Sequence, residues 1–348
     1  VGLVGLDQRH RRPRVRLHGR VELGGRGELA PAAAPRKRTP AKKAPPPEPM
    51  SAAETDTLIA ELFADPDAAH DRLMTLPTII KADGSREAFD PARLVTSLRR
   101  AGAGEHTAER ITGTITGTVV PGVASKEIYA RAFALLRREA RPVAARYALR
   151  RALLELGPSG HPFEDFISHL YRAEGWEVQT RKVIQGKCVA HEVDLYATHA
   201  GEHDHLAAEL KYHNDPGYKT DLKIALYVKS RFDDIFACDP AVRSCPLNRG
   251  LLITNTKFTS EAIAYAECAG VELLGWSYPA NNGLFMRMSQ ARVYPLTALT
   301  LLSRAEKRLL IDQGVVAADA LARNRRLLDL LHLPADRVGE LLAEIDGL

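Results

Sequence analysis

A chain of 348 residues, 45% apolar and 26% charged, has the profile of a globular protein with length for two or three domains rather than one large core. It contains no run of about eighteen apolar residues, and no apolar stretch near its N-terminus leads into a small-residue cleavage site. Those features argue against membrane insertion and secretion and set the expectation of a cytoplasmic protein. Four cysteines, Cys188, Cys238, Cys245 and Cys268, are too few and too irregularly spaced for a disulfide scaffold or a structural zinc site.

The net charge of +5 is concentrated at one end: residues 1–49 hold twelve Lys or Arg against four Asp or Glu, and the remainder holds 36 against 39. The tail, "RHRRPRVRLHGR" and then "PAAAPRKRTPAKKAPPPEPM", is rich in Pro, Gly and Arg and lacks periodicity, so residues 1–76 are expected to form a disordered basic arm and a linker. The chain opens at Val1, and Met50 and Met74 both precede better-patterned sequence. The arm therefore reads as sequence upstream of the natural start, with a DNA tether as the alternative. Within the linker, residues 51–73 place Leu58, Leu62 and Phe63 on one side of a short amphipathic helix.

From Pro77 the pattern sharpens. "TIIKADGSREAFD" reads as a strand, an Asp-Gly turn and a short strand. Helices follow at "PARLVTSLRRAG", "HTAERITGTITGTVV" and "SKEIYARAFALLRREARPVAARYALRRALLELG", the last broken before Pro142. The stretches "IIKADGSREAFDPARLVTSLRRAG" and "VAARYALRRALLELG" resemble the ATP-cone, a nucleotide-binding regulatory module of ribonucleotide reductases and of their transcriptional repressor. The resemblance implies a small β-hairpin on a helical bundle over residues 77–158, with ATP or dATP as effector. It implies Lys81, Arg86 and Arg93 as phosphate contacts, and Arg146 and Tyr147 in the closing motif. Several cations converging from a turn and its neighbouring helices suit triphosphate recognition.

After "GPSGHP" the pattern changes. "PFEDFISHLYRAEGWEV" carries Phe163, Phe166, Ile167 and Leu170 at helical spacing, with Glu164 beside them, and then enters the strand "WEVQTRKVIQG". The strands "HEVDLYAT" and "HLAAELKYH", the helix "KTDLKIALYVKSRFDDIFA", the strand "RGLLITNT", the helix "TSEAIAYAECAG" and the strand "VELLGWSYP" complete an α/β core with a mixed sheet over residues 159–290. Residues 296–348 read as helical throughout, with turns near Gly314 and Pro334. The fold class is therefore multi-domain, α+β followed by α/β, with a C-terminal helical appendage.

Chemistry concentrates in two strands. Side chains two apart share a strand face, so Glu209 and Lys211 point together while Leu210 and Tyr212 point away, and Val193 and Leu195 are expected to pack away from Asp194. A hairpin sets Asp194 beside Glu209. Two converging carboxylates repel unless a hard cation with oxygen ligands neutralises them, and an adjacent lysine then orients water or offsets charge developing on phosphate. A plain cross-strand ion pair is the simpler alternative.

The order of these elements resembles the PD-(D/E)xK nuclease superfamily and, within it, the Mrr-like restriction endonucleases. That resemblance implies Glu164 as the helix carboxylate, Asp194 and Glu209 as Mg²⁺ ligands, and Lys211 as the catalytic lysine. This chain has His191 and Glu192 where many relatives have glycines, and Glu209 where many have Gln. His199, His203, His205 and His213 read as solvated histidines of the hairpin loop, and Lys219, Lys223 and Lys229 as helix cations within reach of phosphates. The C-terminal helices resemble a helix-hairpin-helix or SAM-like domain through "LLIDQGVVAADALA" and "LPADRVGELLAEI", although the turn at Gly314 lacks a second glycine.

The expectation is a Mg-dependent DNA endonuclease in restriction or DNA defence, carrying a cone that binds ATP or dATP. The alternatives are a non-catalytic nucleotide sensor that binds DNA and a structure-specific repair nuclease. Cutting both strands of a duplex needs two active sites, which is the ground for expecting a homodimer.

Overall fold

The computed structural model describes residues 76–81, 83–199, 205–237 and 247–348. The basic arm and the helix expected over residues 51–73 lie outside the described residues.

Strands β1 (Thr78–Ile80) and β2 (Arg86–Ala88) pair antiparallel, Ile80 opposite Arg86. Asp83 shapes the turn: its Oδ1 accepts from Ser85 N at 3.0 Å and from Ser85 Oγ at 2.6 Å, and Gly84 takes a left-handed φ of +80°. Phe89 is buried beneath the hairpin, and Asp90 caps helix α1 (Pro91–Arg100), accepting from the amides of Ala92 and Arg93. The Phe-Asp pair of the sequence motif is thus an anchor followed by a helix start. Helices α2 (Glu105–Thr116) and α3 (Ser125–Glu139) complete a small core with the hairpin, through Ile79, Leu98, Ile111 and Leu136. The run beyond Ser125 breaks at Ala140, as expected ahead of Pro142, and again at Ala148, giving α4 (Arg141–Tyr147) and α5 (Leu149–Leu154).

The central sheet has the order β3-β4-β5-β7-β9. Strand β4 (Ala190–His199) pairs antiparallel with β3 (Trp176–Gln185) on one side and with β5 (His205–Lys211) on the other. Strands β7 (Arg249–Thr254) and β9 (Glu272–Leu274) add in parallel to β5. The sheet is therefore mixed, with helices on both faces, as parallel strands require.

Helix α6 (His161–Ala173), α9 (Leu284–Ala291) and the C-terminal helices cover one face, burying Phe163, Phe166 and Leu170 against Leu195, Ala208 and Leu210. Helices α7 (Leu222–Phe236) and α8 (Ser260–Ala269) cover the other, burying Val228 and Phe232 against Val193, Ala207 and Leu252. Helix α9 and the two-residue pair β6 (Lys219–Thr220) and β8 (Lys257–Phe258) were not anticipated from sequence. A 3-10 turn (Leu296–Ala298) leads to α10 (Arg304–Asp312), α11 (Ala318–Arg323), α12 (Arg326–Asp329) and α13 (Ala335–Asp346), with turns at Gly314 and Pro334.

Among the described residues the chain is thus mixed α+β, with a mixed sheet and 13 α-helices. Leu149, Leu153 and Leu156 are buried in the same core as α6 and the C-terminal helices, so the boundary expected at residue 158 falls inside shared packing. No helix among the described residues is long and apolar enough to cross a membrane.

Gly250 tests how tightly the second face is packed. A Cβ there would lie 2.5 Å from Cδ2 of the buried Phe232 ring. Gly250→Ala is expected to cost about 1–3 kcal/mol through overpacking, read by urea denaturation. An unchanged midpoint would show that the ring has room to yield.

Candidate functional site

The β4–β5 ladder runs from Thr198 opposite His205 to Leu195 opposite Ala208 and then stops. At the next level Asp194 Oδ2 accepts the Leu210 amide at 2.6 Å, so its carboxylate replaces a ladder partner where the strands part. The simple alternation expected around Asp194 breaks there. Val193 packs on the α7 face and Leu195 on the α6 face, so the two do not share a side. On the neighbouring strand the residue between the Thr180–Leu195 and Lys182–Val193 pairs is Arg181, held at a left-handed φ of 51°. A non-glycine residue in that region is uncommon, and here it turns a guanidinium toward the N-terminal turn of α6. Arg181 lies 3.5 Å from Glu164 Oε2 and 3.8 Å from Asp165 Oδ1.

Glu164 sits in the first turn of α6, where the helix dipole favours an anion. Burial, followed by the charge of Asp194, raises its pKa above the ordinary carboxyl range. Asp194 is raised too, by burial first and then by Glu209, while the Leu210 amide, Lys211 and Arg231 pull the other way.

Glu209, 6% exposed, points to the α7 face, opposite Leu210. Its Oε1 accepts from Lys211 Nζ at 2.7 Å and its Oε2 from Arg231 of α7, which also donates to the Glu192 carbonyl. Three carboxylates (Glu164, Asp194 and Glu209) thus gather with three cations (Arg181, Lys211 and Arg231). Arg181 and Arg231 were missed from sequence. The available signal was Arg231's place beside the apolar stripe Ala225, Val228, Phe232, Ile235, where a solvated residue would be unexpected.

Among the described residues no group of three or more His, Cys, Asp or Glu is arranged to hold a metal ion. The donor chemistry still suits one class of ion. Asp194 and Glu209 offer only carboxylate oxygens, and Mg²⁺, which keeps several waters, is held by one or two carboxylates.

The described histidines differ from expectation. His199 ends β4 against Trp176, ring centroids 5.2 Å apart, and His205 opens β5 with Nδ1 3.2 Å from Tyr196 Oη. His213 is half-buried, 3.8 Å from the Tyr218 ring and 3.2 Å from Thr220 Oγ1, and burial followed by Lys211 holds its pKa down. His199 and His205 are packed strand-end residues rather than loop residues, His213 lies in the loop beyond β5, and His203 lies outside the described residues. Of the lysines expected on the next helix, Lys219 is on β6, Lys223 is on α7, and Lys229 pairs with Asp233.

In the hairpin-and-helix segment, Lys81 Nζ lies 2.5 Å from Glu87 Oε2, and Arg93 reaches the same oxygen at 3.3 Å and Asp90 at 3.2 Å. Arg86 is exposed beside them on β2. Arg146 and Tyr147 are engaged elsewhere. Arg146 donates to the carbonyls of Ala101 and Gly347, each at 2.8 Å, bracing α1 against the C-terminal turn. Tyr147 stacks on Tyr129 at 4.9 Å, and burial pushes its hydroxyl up to about 12.

The fold and site thus define a mixed α+β protein with a cluster of carboxylates and cations on a mixed sheet, joined to a C-terminal helical segment. That segment, residues 294–348, matches the AF1548-like C-terminal family. An uncharacterized protein of Archaeoglobus fulgidus is 33% identical over 178 residues, 51% of this chain and 97% of the relative. The chain belongs to this AF1548-like family. The crystal structure of AF1548, a protein of unknown function, is 31% identical over 54% of this chain and 97% of its own, at a TM-score of 0.43.

The folded state holds the Asp194 proton above the ordinary 3.8, so stability present at low pH is lost as pH rises through the folded value, and ionised Asp194 is a net cost at neutral pH. Asn keeps an oxygen for the Leu210 amide and removes that cost. Asp194→Asn should therefore melt higher than wild type in EDTA at neutral pH, by about 2–4 °C for each ~1 kcal/mol relieved. A lower melting temperature would show that the fold favours the charged form.

Proposed function

We propose that this chain is a divalent-metal-dependent DNA endonuclease of the PD-(D/E)xK superfamily, Mrr-like in its core and carrying an ATP-cone that responds to ATP or dATP. The observation that carries this reading is the gathering of Glu164, Asp194, Glu209 and Lys211 from α6, β4 and β5 where two strands part. Carboxylates that converge and resist ionisation together, as Glu164 and Asp194 do, are the kind of group a bound cation would neutralise, and such perturbed groups gather at functional sites.

Asp194 and Glu209 would hold the ion. A bound divalent ion would supply Lewis-acid stabilisation of the phosphate and make a bound water more acidic. Lys211 is placed to offset charge developing on the attacked phosphate once its bond to Glu209 is released. Arg231 holds Glu209 in place through its Oε2, and Arg181 lies beside Glu164 Oε2. Lys81 and Arg93, now sharing Glu87, are the cations a triphosphate would draw off that carboxylate. A role in DNA defence, a homodimer and a cytoplasmic location are parts of the same proposal.

Plasmid cleavage with Mg²⁺ or EDTA, on unmodified and methylated DNA, tests the activity. Asp194→Ala and Glu209→Gln should each abolish Mg-dependent cutting while the protein stays folded by circular dichroism, and Lys211→Ala should lower turnover more than metal affinity. Cutting that survives in both carboxylate variants would remove the site. Binding to the folded state alone stabilises it by RT ln(1 + [L]/Kd), so ATP at about 100-fold over Kd should contribute about 2.7 kcal/mol and raise the melting temperature. Lys81→Ala should lose much of that rise. Calorimetry showing no ATP or dATP binding to the wild type would defeat the cone.

A further inference from the structure

Two exposed lysines lie side by side on the shortest strands of the structure. Lys219 of β6 is the register partner of Lys257 of β8, so a two-residue parallel pair sets two ammonium groups next to each other. Like charges on adjacent strands destabilise a sheet, and a pair this short has little hydrogen bonding to offset the cost. Further positive charge surrounds them. Arg150 of α5 donates to the Pro216 carbonyl at 2.8 Å, in the loop between Lys211 and Lys219, and its Nε is buried without a partner. The Lys257 ammonium is held below its ordinary range by burial first, and then by repulsion from Arg150, Lys219 and Lys81. The acids nearby are Glu261, which feels Lys219, and Glu87, which Lys81 shares with Arg93.

The patch is rigidly linked to the carboxylate site. Thr254 Oγ1 donates to the Lys211 carbonyl at 2.8 Å and accepts from Thr220 Oγ1 at 3.3 Å, and Thr220 is the residue after Lys219. His213 Nε2, 3.2 Å from the same Thr220 hydroxyl, adds a second tie. The Thr259 amide donates to the Thr220 carbonyl at 3.0 Å and closes the β6–β8 pair. These bonds fix the two lysines relative to Lys211, and Tyr212 Oη, bonded to the carbonyls of Leu154 and Gly157 at 2.7 and 2.9 Å, fixes α5 and Arg150 to the end of β5.

We propose that Lys219, Lys257, Arg150 and Lys81 form a phosphate track that receives the DNA backbone leading to the Glu209–Lys211 site. This rests on the nuclease reading above. The exposure of Lys219 and Lys257 on an open ribbon and their rigid link to Lys211 favour a DNA strand. A strand crossing them would present successive phosphates to successive cations, and relief of mutual repulsion would add to its binding. Two of the four cations belong to the hairpin-and-helix segment, so that segment takes part in holding the substrate.

The test measures binding of full-length protein to a fluorescent duplex by anisotropy, in EDTA so that the DNA stays uncut, over a salt series. Each lost phosphate contact lowers the slope of log K against log[salt] by about 0.9, so Lys219→Ala/Lys257→Ala should lower it by about 2, equally on unrelated sequences. Lys219→Arg/Lys257→Arg should restore it. The alanine pair should melt no lower than wild type, which separates the effect from misfolding. A wild-type slope in the folded alanine pair would overturn the track. Loss of the ATP-induced melting shift in that pair, with the slope unchanged, would overturn it in favour of a nucleotide site. Wild-type protein that binds no DNA would overturn both the track and the nuclease reading.

Discussion

A carboxylate buried in the middle of a sheet needs compensating charge, and the architecture around Glu209 follows from supplying it. Moving a charged group out of water costs several kcal/mol unless it is paired and hydrogen-bonded. Glu209 is 6% exposed and has cations from two directions: Lys211 along its own strand and Arg231 from α7. Arg231 in turn spans to the Glu192 carbonyl, so the ion pair sets the approach of helix to sheet as well as neutralising the acid. A purely structural strand would carry an apolar residue here at lower cost.

Much of this was legible in the sequence because it depends on period. The two-residue alternation of "AELKYH" places Glu209 and Lys211 together and sends Leu210 to the opposite core. Asp-Gly marked the hairpin, and Gly314 and Pro334 marked the C-terminal turns. What escaped depends on departures from period. Arg181 reaches its neighbours through a left-handed φ that residue identity does not announce. Asp194 stands where Val193 and Leu195 go to different faces, so alternation read across it misplaces one of them. Arg146 and Tyr147 illustrate the opposite case. A motif named them, and tertiary packing explains them through the Ala101 and Gly347 carbonyls and the Tyr129 ring.

The histidines show how register overrides local composition. A stretch containing His199, His203 and His205 looks like polar loop, yet the β3–β4–β5 pairing extends to Trp176 opposite His199 and Thr198 opposite His205. That register brings His199 against an indole and His205 against a phenol, with His205 Nδ1 3.2 Å from Tyr196 Oη.

The joint between the helical bundle and the sheet bears on any communication along the chain. Leu149 and Leu153 of the bundle's last helix, and Leu156 just beyond it, share their core with α6, whose first turn carries Glu164, and with Leu210 of β5, between Glu209 and Lys211. Tyr212 fastens the end of that strand to the carbonyls of Leu154 and Gly157, and Arg150 fastens the loop beyond it through Pro216. A ligand on the hairpin changes events at the sheet only if it binds two arrangements of the bundle with different affinity. Close packing at this joint means that a shift of α5 cannot be absorbed locally. It must be taken up by Tyr212 and by the strand end that positions Lys211, or at the break at Ala148 between α4 and α5.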